Sequence, residues 1–165
     1  MTSKPVVEQH VLFIDSRYAD GASNVDFSVI FNKSVQTHTS GYPTQVFKNV
    51  SAVELTAFSI HSGCLGDTDE TYLALDIEEL NNRLHSNVPE VNQCFAIMYL
   101  DKESSPKEKS FKGQDFDIKV KKFDPPLSSL SRLTVKLKNA SSRQNVLDLG
   151  KTTMILKINT IKSSA

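Results

Sequence analysis

Apolar and polar residues alternate with a period of two along most of the chain, the pattern of strands with one dry and one wet face. The clearest cases lie near the C-terminus. Leu133, Val135 and Leu137 alternate with Arg132, Thr134, Lys136 and Lys138, and Leu156 and Ile158 alternate with Lys157 and Asn159. Phe27, Val29 and Phe31 form one face of an earlier run with Ser28 opposite, and Val53, Leu55 and Ala57 alternate with Glu54 and Thr56. Phe95, Ile97 and Tyr99 mark another run, and Phe116, Ile118 and Val120 alternate with Asp117 and Lys119. The first run interleaves Val11 and Phe13 with Leu12 and Ile14, so it is apolar at every position.

Turn-forming residues separate these runs at Ala19-Asp20-Gly21, Ser40-Gly41-Tyr42-Pro43, Ser62-Gly63, Lys112-Gly113 and Asp124-Pro125-Pro126. The polar stretch from Ser104 to Lys109 reads as a loop. One helix is predicted, a short one over Ile77–Leu84, where Ile77, Leu80 and Leu84 would share a face at i, i+3 and i+7. Many short strands with one minor helix predict an all-β protein, an antiparallel β-sandwich filling a single domain over residues 1–165. The ends, about residues 1–8 and 162–165, carry no apolar periodicity and are expected to fray as tails.

Composition narrows the function more than the fold. A chain of 165 residues buries roughly 70% of its unfolded surface, so it needs no disulfide or metal to fold. The net charge is zero, which leaves only a weak general attraction to nucleic acid. The charge is unevenly placed. Arg83 is the sole Lys or Arg between residues 60 and 101, against Asp67, Asp69, Glu70, Asp76, Glu78, Glu79, Glu90 and Asp101. Residues 118–165 are basic, with only Asp124 and Asp148 opposing. The plain reading is two solvated surfaces; the functional one is a head-to-tail contact between copies. Met1-Thr2-Ser3-Lys4-Pro5 is unlike a signal peptide, and no apolar run reaches the roughly 18 residues of a membrane span. A soluble protein made in the cytosol is expected.

Candidate chemistry is sparse. Gly63-Cys64-Leu65-Gly66 lacks the Lys-Ser/Thr of a phosphate loop, and neither a Gly-x-Ser-x-Gly elbow nor a His-Glu-x-x-His zinc motif occurs. His10, His38, His61 and His85 are scattered, and Cys64 and Cys94 form no CxxC pair. Asp67-Thr68-Asp69-Glu70 resembles half a calcium loop without its Gly and closing Glu. Lys119, Lys121 and Lys122 around Val120 would make a basic strip on one strand face, but only Phe123 is at hand to stack a base. No catalytic, cofactor-binding or metal-binding residue is assigned; the chain is expected to be no enzyme and to take no cofactor.

Phe13-Ile14-Asp15-Ser16-Arg17, Asp26-Phe27-Ser28-Val29 and the run Phe47–Leu55, which holds Asn49-Val50, occur in an order that resembles the opening of a family of small virion proteins. These are minor capsid or penton proteins of large double-stranded DNA viruses of eukaryotes. Phe123-Asp124-Pro125-Pro126-Leu127, then Leu130 through Val135, and Leu147-Asp148-Leu149 continue the resemblance. It covers most of residues 11–60 and 115–161, and in the middle little beyond Phe95-Ala96-Ile97. The family's second Asp-Arg is replaced by Tyr18-Ala19-Asp20. The resemblance implies a jelly-roll-like sandwich and a penton or minor capsid role in an icosahedral shell. It also implies other capsid proteins as partners, homo-oligomers, and a place in virions assembled in host cytoplasm. Independently of the family, Asp15 and Ser16 can close a turn after the first strand, with Arg17 pairing to Asp15 or Asp26. The alternatives are a non-enzymatic sandwich that binds a peptide or glycan through its loops, and an enzyme whose site is assembled from scattered residues.

Overall fold

The computed structural model describes residues 5–21, 23–31, 46–61, 71–99, 108–112, 116–139 and 150–162. The strands are β1 Val6–Asp15, β2 Asp20–Gly21, β3 Asp26–Ile30, β4 Phe47–His61, β5 Tyr72–Ile77, β6 Asn82–Arg83 and β7 Gln93–Cys94. They continue with β8 Ala96–Tyr99, β9 Glu108–Lys112, β10 Phe116–Asp117, β11 Val120–Leu130, β12 Arg132–Asn139 and β13 Thr152–Lys162. Short 3-10 turns lie at Ser16–Tyr18 and Pro89–Val91. Among the described residues no helix is long and apolar enough to cross a membrane.

Every strand pair is antiparallel, and two sheets pack against each other. One sheet has the order β1-β13-β4-β11, with β9 also on β4; the other runs β10-β8-β5-β12-β3-β2. The topology is that of a hairpin rolled up. Counting the long strands β1, β3, β4, β5, β8, β11, β12 and β13 as first to eighth, first pairs with eighth, second with seventh, third with sixth and fourth with fifth. The pairs fall alternately in the two sheets, which is the jelly roll. The fold class read from the sequence therefore holds.

The alternation explains the core. Leu133, Val135 and Leu137 on β12, Phe27 and Val29 on β3, and Leu73, Leu75 and Ile77 on β5 are buried from one sheet. Leu12, Ile14, Val53, Leu55, Phe58, Ile60, Met154, Leu156 and Ile158 meet them from the other, in one continuous cluster. Burying each such side chain contributes about 1.5–3 kcal/mol. Ala74, Val91 and Cys94 form a smaller cluster with Tyr72, Leu84, Val88 and Ile97. There the segment leading through β6 and β7 covers part of the second sheet's outer face.

Strand β4 skips strict alternation of its buried positions three times, once at Lys48–Asn49, where Asn49 has a positive φ of 52°, and twice at bulges. Its pairing to β13 steps from Ala57↔Ile155 to Leu55↔Leu156, and again from Ala52↔Asn159 to Val50↔Thr160. The extra residues are Thr56 and Ser51. Each hydroxyl donates to the β13 carbonyl beside it, Thr56 Oγ1 to Ile155 O at 3.1 Å and Ser51 Oγ to Asn159 O at 3.2 Å. The first bulge reverses the phase, so Phe58 and Ile60 are buried and Ala57 leaves the dry face.

Several expectations are corrected. The helix over Ile77–Leu84 does not form. Ile77 ends β5 with its side chain in the main core, a single turn closes from Leu80 N–H to Ile77 O, and Asn82 already begins β6. Asn81 Oδ1 accepts from Ile77 N–H at 3.0 Å while its amide donates to Asp76, a side-chain cap that competes with helix. The presumed tails are strand at their inner ends: Val6–Glu8 pair with Lys162–Thr160. Glu108 and Lys109, assigned to a loop, pair with His61 and Ile60. Asp124-Pro125-Pro126 is no turn between strands but an irregularity inside β11, where pairing to β4 lapses between Lys122 and Leu127. Phe116–Val120 is not one strand: Ile118 has a positive φ of 55°, and there the chain leaves β10 in one sheet for β11 in the other. In β8 the inward residues are Ala96 and Met98, and Tyr99 is exposed. Gly21 is required by close approach, since a Cβ there would lie 2.6 Å from Phe27 Cα.

Candidate interaction surfaces

The residues that carry the virion-protein resemblance are largely scaffold. At the end of β1, Asp15 accepts from Arg17 N–H at 3.0 Å, and the Arg17 guanidinium returns to the same carboxylate, with Nη2 2.6 Å from Oδ2. That hydrogen-bonded guanidinium holds the Asp15 carboxyl below its ordinary value. Ser16 is buried between them; its Oγ donates to Asn24 Oδ1 at 2.7 Å and accepts from Thr152 N–H at 2.9 Å. The turn thus ties β1 to the start of β13. Arg17 chooses Asp15, and Asp26 lies near Lys136, 3.9 Å away.

Part of the charge asymmetry is met inside one sheet. Strands β5 and β12 are neighbours, so acidic and basic segments meet: Lys138 pairs with Asp76, and Arg132 Nε lies 3.6 Å from Glu79. Glu79 also accepts from Thr134 N–H at 2.7 Å and from Thr134 Oγ1 at 2.9 Å. Asp76 and Glu79 therefore lie beside basic residues of the same molecule, while Asp67, Asp69, Glu70 and Asp101 lie outside the described residues. The lysine strip does not form either. Lys121 turns inward and donates to Asn81 O at 2.9 Å, while Lys122 is exposed opposite Ala52.

The described candidates for chemistry stay apart. Among the described residues no three of His, Cys, Asp and Glu come together to hold a metal ion. His10 Nε2 lies 3.1 Å from Thr160 Oγ1 with its ring 5.2 Å from Phe47, and exposed His85 lines a cleft of about 580 Å³ with Asn87, Asn92 and Gln93. A second open cleft, about 640 Å³, lies between Ile30, Phe31, Leu127 and Leu130, with Glu79 and Arg132 at its rim already engaged with each other. Cys94 is buried, and desolvation, helped by the Asp76 carboxylate, pushes its thiol up to about 11. A thiol so raised is no nucleophile at neutral pH. His38, Cys64 and Asp67–Glu70 lie outside the described residues.

The most unusual surface is one the sequence reading did not single out. Strand β1 is the rim of its sheet, and Val7, Val11 and Phe13 point outward with exposures of 57%, 67% and 62%. Ile161 and Ile155 stand beside Val7 and Phe13 on β13. The signal was the run Val11–Ile14, apolar at every position like Tyr72–Leu75 and Phe95–Tyr99, but on a strand with one neighbour where β5 and β8 have two. A strand with one wet face has no use for apolar residues on both.

The other rims are protected in the ways known to prevent edge pairing. β2 and β10 are two residues long. β9 is only five residues long. β11 has its break, two prolines and an inward lysine. β1 runs ten residues with no Pro, Lys or Arg, in unbroken register with β13 from Val6↔Lys162 to Asp15↔Thr153.

Neither known protein families nor curated proteins match the chain.

Proposed function

We propose that this chain is a structural virion protein, a penton or minor capsid component of an icosahedral shell, working through protein–protein contacts and without catalysis. The observation that carries the reading is the eight-strand wrap, first to eighth through fourth to fifth. Viral capsids use this architecture widely. The segments that resemble small virion proteins fall on its framework: the turn after β1, then β3, β4, β11 and β12. An exposed apolar rim suits a subunit whose surface is meant to be covered. In this reading its partners are other capsid proteins and further copies of itself, and it resides in virions assembled in host cytoplasm.

Mass spectrometry of density-purified virions tests the proposal. Its peptides should band with the particles and persist after protease treatment of intact virions. Peptides confined to the soluble fraction of infected cells would overturn it. Binding on a glycan or peptide array, abolished by substitutions around His85, would instead establish the other use of jelly rolls, a recognition module.

A further inference from the structure

Strand β1 has a palindromic chemistry. About Gln9 the sequence reads Val6-Val7-Glu8-Gln9-His10-Val11-Leu12, apolar pairs at both ends and an acid and an imidazole flanking the centre. A strand with this symmetry is complementary to itself when turned around. We propose that β1 pairs antiparallel with β1 of a second copy across a two-fold axis through Gln9, joining two five-stranded sheets into one.

The register follows from matching side chains. With Gln9 opposite Gln9 of the second copy, Val7 faces Val11, Val6 faces Leu12 and Glu8 faces His10, each contact occurring twice. Directly opposed side chains lie about 4.5–5.5 Å apart at Cβ, within reach of a carboxylate–imidazole hydrogen bond. The groups are suitably placed for it. Glu8 is 45% exposed and uses Oε2 on Lys162 at 3.4 Å, and His10 engages Thr160 through Nε2, leaving Nδ1. Moving the axis to His10 would set Glu8 against Leu12, and moving it to Val11 would set Glu8 against Ile14 and Val7 against Asp15. Both oppose charge to hydrocarbon, so the acid–imidazole match selects the Gln9 axis and selects a second copy over an unrelated strand. Among the described residues β1 has only β13 beside it, and it is the one long rim without a protective device. Such a two-fold contact is isologous and closes on itself. It does not rest on the shell reading; it would hold for a recognition module as well.

Sedimentation of the full chain over a concentration series should show a dimer. Because each contact is repeated across the axis, Val11→Lys and Glu8→Lys should each weaken it at least about tenfold, with the melting temperature nearly unchanged for Val11→Lys at concentrations where both chains are monomeric. The exchange Glu8→Lys/His10→Glu should restore association. Register is read by cysteine in a Cys64→Ser background. Gln9→Cys should cross-link to itself on mild oxidation, because the axis brings like positions within disulfide reach. Val7→Cys should not, although a mixture of Val7→Cys and Val11→Cys chains should. A wild type monomeric at every concentration, or self-linking at Val7→Cys as readily as at Gln9→Cys, would overturn the proposal. The cysteine pattern reads the same contact inside any larger assembly.

Discussion

The two long rims of the first sheet, β1 and β11, solve the same problem in opposite ways. Both expose a row of backbone donors and acceptors that another strand could use. β11 interrupts its pairing between Lys122 and Leu127, places two residues without N–H in the gap, and turns Lys121 inward to Asn81 in the turn after β5. β1 keeps an unbroken ladder and an apolar outer stripe. An edge that could have been blunted and was not is informative, because blunting takes only a lysine or a proline. The comparison separates a rim built to stay alone from one built to be joined.

Substitutions test whether this difference lies in the rims and not in the core behind them. The largest effect belongs to the interior that both rims share. Val135 is fully buried in β12, so Val135→Asp strands a carboxylate among hydrocarbon and is expected to cost several kcal/mol, read by chemical denaturation. Next, the two faces of β1 should part sharply. Leu12→Ala, on the buried face, is expected to cost about 2–4 kcal/mol, whereas Val11→Ala, one residue earlier and 67% exposed, should leave monomer stability within about 0.5 kcal/mol. Equal losses would mean that the outer stripe is covered within the chain.

At the other rim, Lys121→Met removes the bond to Asn81 O and is expected to cost about 1 kcal/mol. Its sharper readout is association: light scattering should rise with concentration once the inward charge is gone. If it does not, the prolines and the break suffice to protect that edge. Lys136 offers a control inside the second sheet. It stands opposite Asp26 on β3 and Asp76 on β5, so Lys136→Asp would line up three carboxylates and should cost about 1 kcal/mol, although the site is exposed. Lys136→Ser should cost about half that or less.

The smallest effect is the pH dependence of the turn that ends β1. Arg17 lowers the Asp15 carboxyl in the folded chain below its ordinary 3.8. The unfolded chain therefore takes up the proton first as pH falls. The stabilisation is complete above the unfolded value and disappears as pH drops through the folded one. The stability difference between wild type and Asp15→Asn should accordingly shrink on going from about pH 6 to about pH 3. A difference constant over that range would show that the turn holds through Ser16 and Thr152 alone.

Most of the sandwich was legible because period-two alternation reports directly which face of a strand meets hydrocarbon. Leu133, Val135, Leu137, Leu156 and Ile158 are all buried as that rule requires. The rule fails where the chain departs from an ideal strand. The bulge at Thr56 shifts the phase of β4, the positive φ at Ile118 ends one strand and begins another, and Asn81 diverts a helical spacing into a turn. Each depends on a partner far along the chain or on one local hydrogen bond, and neither leaves a mark on hydropathy. The Asp15–Arg17 turn was readable because its partners are two residues apart.

By itself, then, the sequence determined the class of fold, the dry faces of its strongest strands and the palindrome around Gln9, all of which are properties of neighbours in the chain. Which strands stand side by side was decided only in three dimensions. Pairing β5 with β12 brought Asp76 to Lys138 and Glu79 to Arg132, so charges separated along the sequence meet within one molecule. Among the described residues nothing covers the outer face of β1, so Val7, Val11 and Phe13 stay outside, and its position at the rim leaves one edge open. A strand carries two faces and two edges, and sequence periodicity speaks of the faces; whether an edge is filled depends on what the rest of the chain lays beside it.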